Sequence, residues 1–143
     1  MKLHTIGFTQ TSAEHFFSRL QQSGVARVID VRLNNTSQLA GFAKKDDLRY
    51  FLRAICGIDY VHRPDLAPTQ EMLGEYKKSG DWAEYERQFV ALMASRRIDE
   101  RIPRDLVDGA CLLCSERAPH RCHRRLVAEY LAARWGGWKL IHL

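Results

Sequence analysis

The sequence contains few of the features that mark secreted, membrane-spanning or multidomain proteins. Its 143 residues include no uninterrupted apolar stretch of about eighteen residues, the length needed to cross a bilayer. The opening MKLHTIGFTQ has one lysine and lacks the apolar segment of a secretion signal. No internal repeat, low-complexity tract or linker divides the chain. We therefore expect one domain over residues 1–143, located in the cytoplasm and without a membrane partner.

Cysteine is scarce and unevenly placed. The four cysteines are Cys56, Cys111, Cys114 and Cys122. A chain of this length can bury enough apolar surface to fold without disulfides, and no secretion signal directs it to an oxidising compartment. The sequence therefore predicts reduced thiols.

The common nucleotide-binding motifs are also absent. The chain has neither a Walker loop nor G-x-G-x-x-G, which excludes the commonest nucleotide folds but not nucleotide binding as such. Lys and Arg number 22 against 17 Asp and Glu, and the resulting net charge of +5 favours anionic partners in general. The sequence leaves the cofactor unknown.

Short apolar runs alternate with helical patterns along the chain. The runs predict strands at 3–7, 26–31, 58–62, 109–114 and 138–143. Between them, Thr11 is the expected N-cap of a first helix, Asp81 caps another, and Pro119 is expected in the first turn of the last. Residues 98–108 are expected to be a connector. The pattern predicts an α/β fold: a single three-layer, Rossmann-like domain with a mainly parallel sheet of about five strands between helices.

Open parallel sheets bind ligands beyond the carboxyl ends of their strands, near the point where the strand order reverses. Several polar side chains follow predicted strands one and two and are candidates to bind an anion there. They are Thr9, Asp30, Arg32 and Ser37.

The stretch CLLCSERAPHRCHRR, residues 111–125, follows predicted strand four. It contains three cysteines, two histidines, four arginines and one glutamate. A helix N-terminus carries partial positive charge, so each cation placed there is unfavourable by ~0.3–1 kcal/mol. A bound phosphate, sulfate or carboxylate would relieve that conflict. We therefore predict that Arg121 and Arg124 bind an anion, and that the same field favours a thiolate at Cys114 or Cys122.

Two further residues of the stretch have candidate roles. Glu116 is its only carboxylate and is suited to act as a general acid or base, or as the counter-charge of an arginine. His123 is suited to move a proton. The candidate catalytic set is therefore Cys114, Glu116, Cys122 and His123. The alternative is that Cys122 and His123 belong to apolar helical stripes and pack in the core.

Zinc is the other chemistry that such a stretch suggests. Cys111 and Cys114 lie three apart on a strand, where alternation points them to opposite faces. On a helix, the adjacent Cys122 and His123 would diverge by roughly 100°. We therefore expect no metal site, and we expect Cys111 to be a core residue.

Three spaced motifs carry a resemblance to a known family. They are TIGFT at 5–9, DVR at 30–32 followed by Asn35 and Ser37, and LLCSE at 112–116 followed by CHR at 122–124. The chain resembles the bacterial and archaeal family called domain of unknown function 488, in which a proline is usual at the position of Asn35. The resemblance implies a cytosolic α/β fold with one common site, and it implies no particular reaction.

Two classes of function follow from these residues. The first is a thiol-dependent enzyme acting on a nucleotide or another phosphorylated, anionic small molecule. The second is a non-catalytic module that binds nucleotide or nucleic acid through the same arginine cluster. The sequence alone does not choose between them, and it leaves the oligomeric state open.

Overall fold

The computed structural model describes residues 1–36, 41–116 and 119–143. Within these ranges it has one sheet of five strands in the order β3-β2-β4-β1-β5, and every neighbouring pair is parallel. This arrangement confirms the predicted α/β fold with a parallel sheet. The strands are β1 (Lys2–Gly7), β2 (Arg27–Asp30), β3 (Asp59–His62), β4 (Ala110–Cys114) and β5 (Lys139–His142).

Helices cover both faces of the sheet. The helices are α1 (Ala13–Ser23), α2 (Lys45–Phe51), α3 (Gln70–Ser79), α4 (Trp82–Arg96), α5 (Ile98–Arg101), α6 (Arg104–Val107) and α7 (His123–Trp135). A π-helical turn, Leu52–Cys56, continues α2. No helix in the described ranges is both long enough and apolar enough to cross a membrane.

Three local predictions need correction. Ser12 caps α1 in place of Thr11, because the Ser12 hydroxyl accepts from the His15 N–H at 3.1 Å. The expected connector at 98–108 forms the short helices α5 and α6. The last helix begins at His123, later than expected from Pro119, because Cys122 adopts an extended conformation and serves as the N-cap.

Strand alternation divides the core into two clusters. The α1 and α2 side contains Ile6, Val28 and Cys111, whereas the α4 and α7 side contains Leu112 and Cys114. Cys111 is fully buried, as predicted for a core residue. Because Cys111 and Cys114 belong to opposite faces, only Cys114 is available to a site on the α4 and α7 side.

The strand order places three strand ends together. Strand β4 is paired with β1 on one side and with β2 on the other. Gly7 is in register with Cys114, and Asp30 is in register with Leu113. The chain reverses its direction across the sheet after β3, so the carboxyl ends of β1, β2 and β4 lie at the switch point where such folds bind ligands.

Candidate functional site

A cysteine and a histidine meet at the carboxyl end of β4. Cys114 is its last residue, and the Cys114 Sγ lies 3.5 Å from His123 Nδ1, on the first residue of α7. The other ring nitrogen, Nε2, lies 2.6 Å from the Val31 carbonyl oxygen. Since a carbonyl only accepts, Nε2 carries the proton and donates it. The Cys114 Sγ lies beside the ring, 3.8 Å from Nε2 as well, and Nδ1 is the nitrogen able to accept a proton.

Cys122 joins this pair from the opposite side of the loop. Its backbone is extended, with φ −140° and ψ 138°, and α7 begins only at the next residue. The expected divergence of adjacent helical side chains therefore does not apply, and the ligand atoms of Cys114, Cys122 and His123 all lie within 4.8 Å of one another. Arg124 Nη1 donates to Cys122 Sγ at 3.8 Å.

The surroundings shift the pKa values of all three groups. The hydrogen bond from Cys122 lowers the pKa of Cys114, against the opposing effect of burial. That same hydrogen bond and then burial raise the pKa of Cys122 well above its usual value, so Cys122 stays a protonated donor. Burial lowers the pKa of His123. At neutral pH the site therefore combines a neutral imidazole with an acidified thiol.

Gly7 holds the loop after β4 in close contact with β1. A Cβ atom at Gly7 would overlap the Glu116 carbonyl oxygen and come within 2.6 Å of Arg124 Nη1. That carbonyl accepts a hydrogen bond from Arg124 Nη1. The close approach leaves no room for a side chain at Gly7, the last residue of β1.

A buried ion pair ends β2. The Asp30 carboxylate accepts from Arg32 Nε at 2.9 Å and from Arg32 Nη2 at 2.8 Å, and it accepts from the Tyr60 hydroxyl at 2.5 Å. Burial, with the bond to Asp30, raises the pKa of Tyr60. Arg32 is 2 % exposed, and its Nη1 has no hydrogen-bond partner among the described residues. The pair therefore leaves one buried donor available.

These groups line a cavity of about 370 Å³. One wall holds Arg32, Cys114, Glu116, Arg121, Cys122 and His123. The other comes from α3, α4 and the turn before α3, and it includes Tyr76, Lys77, Trp82 and Tyr85. None of these aromatic residues was predicted from the sequence to belong to the site, because aromatic residues at helical spacing have the pattern of a hydrophobic core.

The remaining predicted residues differ in their positions. Glu116 and Arg121 are exposed at the cavity, whereas Arg124 is fully buried and bonds the loop. Thr9 ties its loop to the β4 loop, because its hydroxyl donates to the Ser115 carbonyl at 2.6 Å. Ser37 lies outside the described residues.

A second, larger cavity of about 610 Å³ lies away from this chemistry. It separates α1 from α2 and the π-helical turn, with an apolar lining of Phe17, Phe42, Phe51 and Ile55 and the carboxylates of Glu14 and Asp47 at its edge. It contains none of the predicted site residues. Size alone therefore does not identify the site, and we assign the chemistry to the smaller cavity.

The cysteines and the histidine also form a possible metal-binding set. Two thiolates and an imidazole are ligands that zinc prefers. His123 Nδ1 is the free nitrogen, and the hydrogen bond from Nε2 to Val31 is the kind of outer-shell contact that orients a metal-binding histidine. The residues present therefore fit a soft divalent cation.

Comparison with known proteins places the chain in a family without supplying an activity. No curated protein and no solved structure matches it. One family matches over residues 12–131, which include the second and third motifs but not the first. The matched part contains Asp30, Arg32 and the whole Cys114, Cys122 and His123 cluster. The chain therefore belongs to the family described as Domain of unknown function DUF488.

Proposed function

We propose that this protein is a thiol-dependent enzyme acting on a phosphorylated or otherwise anionic small molecule. One observation carries the proposal. Cys114 Sγ faces His123 Nδ1 at 3.5 Å, while the Val31 carbonyl fixes the other ring nitrogen. Nucleophile, base and orienting group are the three parts of an activated thiol.

The proposed reaction has two steps, attack by the thiol and hydrolysis by water. The Cys114 thiol gives its proton to His123 Nδ1, and the thiolate attacks the electrophilic atom of the substrate. The bond to the leaving group breaks as the bond to sulfur forms, and the leaving group takes the proton from His123. In the second step water gives a proton to His123 Nδ1 and the resulting hydroxide attacks the same atom of the substrate. The bond to sulfur breaks, the product leaves, and the Cys114 thiolate takes the proton back from His123.

Arginines supply the affinity for the anion. Arg32 lines the cavity and has a buried Nη1 with no hydrogen-bond acceptor among the described residues, and Arg121 is exposed at the same cavity. An anionic oxygen at Nη1 would complete the hydrogen bonds of Arg32 and gain a charge-assisted bond. Asp30 fixes the guanidinium by its two bonds, so its role is positioning.

Thiol labelling tests the proposal. We expect iodoacetamide at pH 7 to modify Cys114 at least about tenfold faster than Cys56, because alkylation follows the thiolate fraction. Mass spectrometry of peptides from the intact chain measures each rate, and Cys56→Ser is the matched control. Inorganic phosphate should protect Cys114. Equal, slow labelling of all four cysteines would contradict the proposal.

The second candidate is a non-catalytic module that binds nucleotide or nucleic acid through the same arginines. The exposed Lys77 and Arg121 at the cavity, on a chain of net charge +5, favour it. Such a module predicts that affinity for a single-stranded oligonucleotide falls steeply between about 50 and 200 mM salt. A flat response would exclude the nucleic-acid form of this candidate.

A further inference from the structure

The cavity has an aromatic wall that the proposed thiol chemistry does not use. Tyr76, Trp82 and Tyr85 line the cavity together with Cys114 and Arg32. Tyr76 and Trp82 are only partly buried, so part of each ring remains accessible. An enzyme for a small inorganic or aliphatic anion has no need of three aromatic rings at this place.

The rings form a continuous series that leads to the cysteine and histidine. Trp82 stacks on Tyr85 with centroids 5.2 Å apart and an interplanar angle of 28°. Tyr85 stacks on Phe89 at 6.2 Å and 10°, and Phe89 contacts the His123 ring at 5.5 Å. Tyr76 packs against Tyr85 at 5.1 Å. Because the rings already pack against one another, a planar ligand that stacks on the ring nearest the cavity would require little rearrangement of the protein.

The anionic part of such a ligand has a separate place. Arg32, itself 2 % exposed, offers the buried Nη1 that lacks a partner among the described residues. Arg121 adds positive charge on the same wall as Arg32, whereas Lys77 lies on the aromatic wall. One side of the cavity thus suits a planar ring and the other a phosphate, and its volume of about 370 Å³ is in the range of small-ligand sites.

We infer that the cavity binds a mononucleotide, with its base stacked on Trp82 beside Tyr76, whose ring is inclined at 67° to that of Trp82, and with its phosphate at Arg32 and Arg121. The inference rests on the proposed function, because it names the substrate class of the same site. Base-to-aromatic stacking tolerates any base, since each has a π-face. The arrangement brings the phosphate end, and not the base, to the Cys114 side.

Calorimetric titration of the whole chain with two matched ligands tests the inference. We expect AMP to bind at least about tenfold more tightly than ribose 5-phosphate, which lacks only the base. Trp82→Ala should remove most of that difference and leave the affinity for ribose 5-phosphate unchanged, whereas Trp82→Phe should keep most of it. Near-ultraviolet circular dichroism verifies the fold of each variant, and Tyr76→Leu replaces Trp82→Ala if the latter does not fold.

The outcomes separate this inference from the proposed function. Equal affinity for AMP and ribose 5-phosphate would overturn base stacking and leave the reactivity of Cys114 untouched. Slow labelling of Cys114 together with a strong preference for AMP would overturn the enzyme and support the stacking site. A short single-stranded oligonucleotide that binds far more tightly than AMP would overturn the mononucleotide as the occupant and indicate nucleic acid.

Discussion

At the scale of single residues, Cys114 and Cys122 have opposite roles although both are buried thiols. Cys122 receives a hydrogen bond from Arg124 and donates one to Cys114, whose Sγ lies 3.5 Å from His123 Nδ1. The hydrogen bond between the two thiols lowers the pKa of Cys114 and, together with burial, raises that of Cys122. Of the two candidate thiolates, Cys114 is therefore the one we propose as the nucleophile, and Cys122 acts on it through a hydrogen bond.

The pH dependence of alkylation tests that assignment. The rate rises with pH as thiolate forms, so the lowered pKa of Cys114 should place its half-maximal rate at a lower pH than that of Cys56, whose pKa burial raises. Cys122→Ala should move the Cys114 midpoint to higher pH, because the donor is lost. Cys122→Ser keeps a donor and should shift it less. Equal shifts in both variants would show that the hydrogen bond is unimportant.

At the scale of elements, the loop between β4 and α7 depends on the end of β1. Arg124 on α7 binds the Glu116 carbonyl, and that carbonyl occupies the space beside the Cα of Gly7. A guanidinium of the helix, a main-chain carbonyl of the loop and the glycine of the strand therefore meet at one point. Main-chain atoms cannot rotate away as a flexible side chain can.

Gly7→Ala should therefore be strongly destabilising. The added Cβ meets a backbone oxygen, so we expect a loss of about 3 kcal/mol or more in the free energy of unfolding, the upper end for overpacking. Gly74→Ala is the control, because a Cβ at this α3 position meets nothing within 4 Å, and it should stabilise by about 0.5–1 kcal/mol. Urea titration measures both. A neutral Gly7→Ala would show that the loop is not held there.

The secondary-structure elements also show which parts of the fold could be predicted from the sequence. Apolar runs located all five strands to within one residue at each end. Burial on both faces explains the signal of the central strands β1, β2 and β4, whereas the edge strands β3 and β5 are only partly buried. The predicted start of α7 was wrong. Pro119 suits a first helical turn, but Cys122 is extended and the helix begins only at His123. Because of this later start, the adjacent side chains of Cys122 and His123 both come close to Cys114. The aromatic wall was missed because no local pattern tells a cavity lining from a core.

At the scale of the whole molecule, the site is assembled from distant parts of the chain. Arg32 follows β2, Trp82 and Tyr85 begin α4, and Cys114 ends β4. Such a site exists only in the folded state, so a ligand bound there stabilises the whole fold.

Thermal unfolding in inorganic phosphate tests this linkage. At about one hundred times the dissociation constant, phosphate should add about 2.7 kcal/mol and raise Tm by roughly 5–10 °C. Arg121→Ala should reduce the increase, whereas Arg53→Ala, the same change of charge on the distant π-helical turn, should not. Differential scanning calorimetry measures the shifts. An equal increase in both variants would indicate a general effect of the salt.

The strand order has a consequence for how the chain acquires its fold. Strands β1 and β2 are made first, yet they pair with β4 and not with each other. A growing chain can therefore form only the β2 and β3 pair until Ala110–Cys114 has been synthesised, and until then β1 has neither of its final neighbours. The segment that ends in the proposed nucleophile is thus also the one that joins the two halves of the sheet.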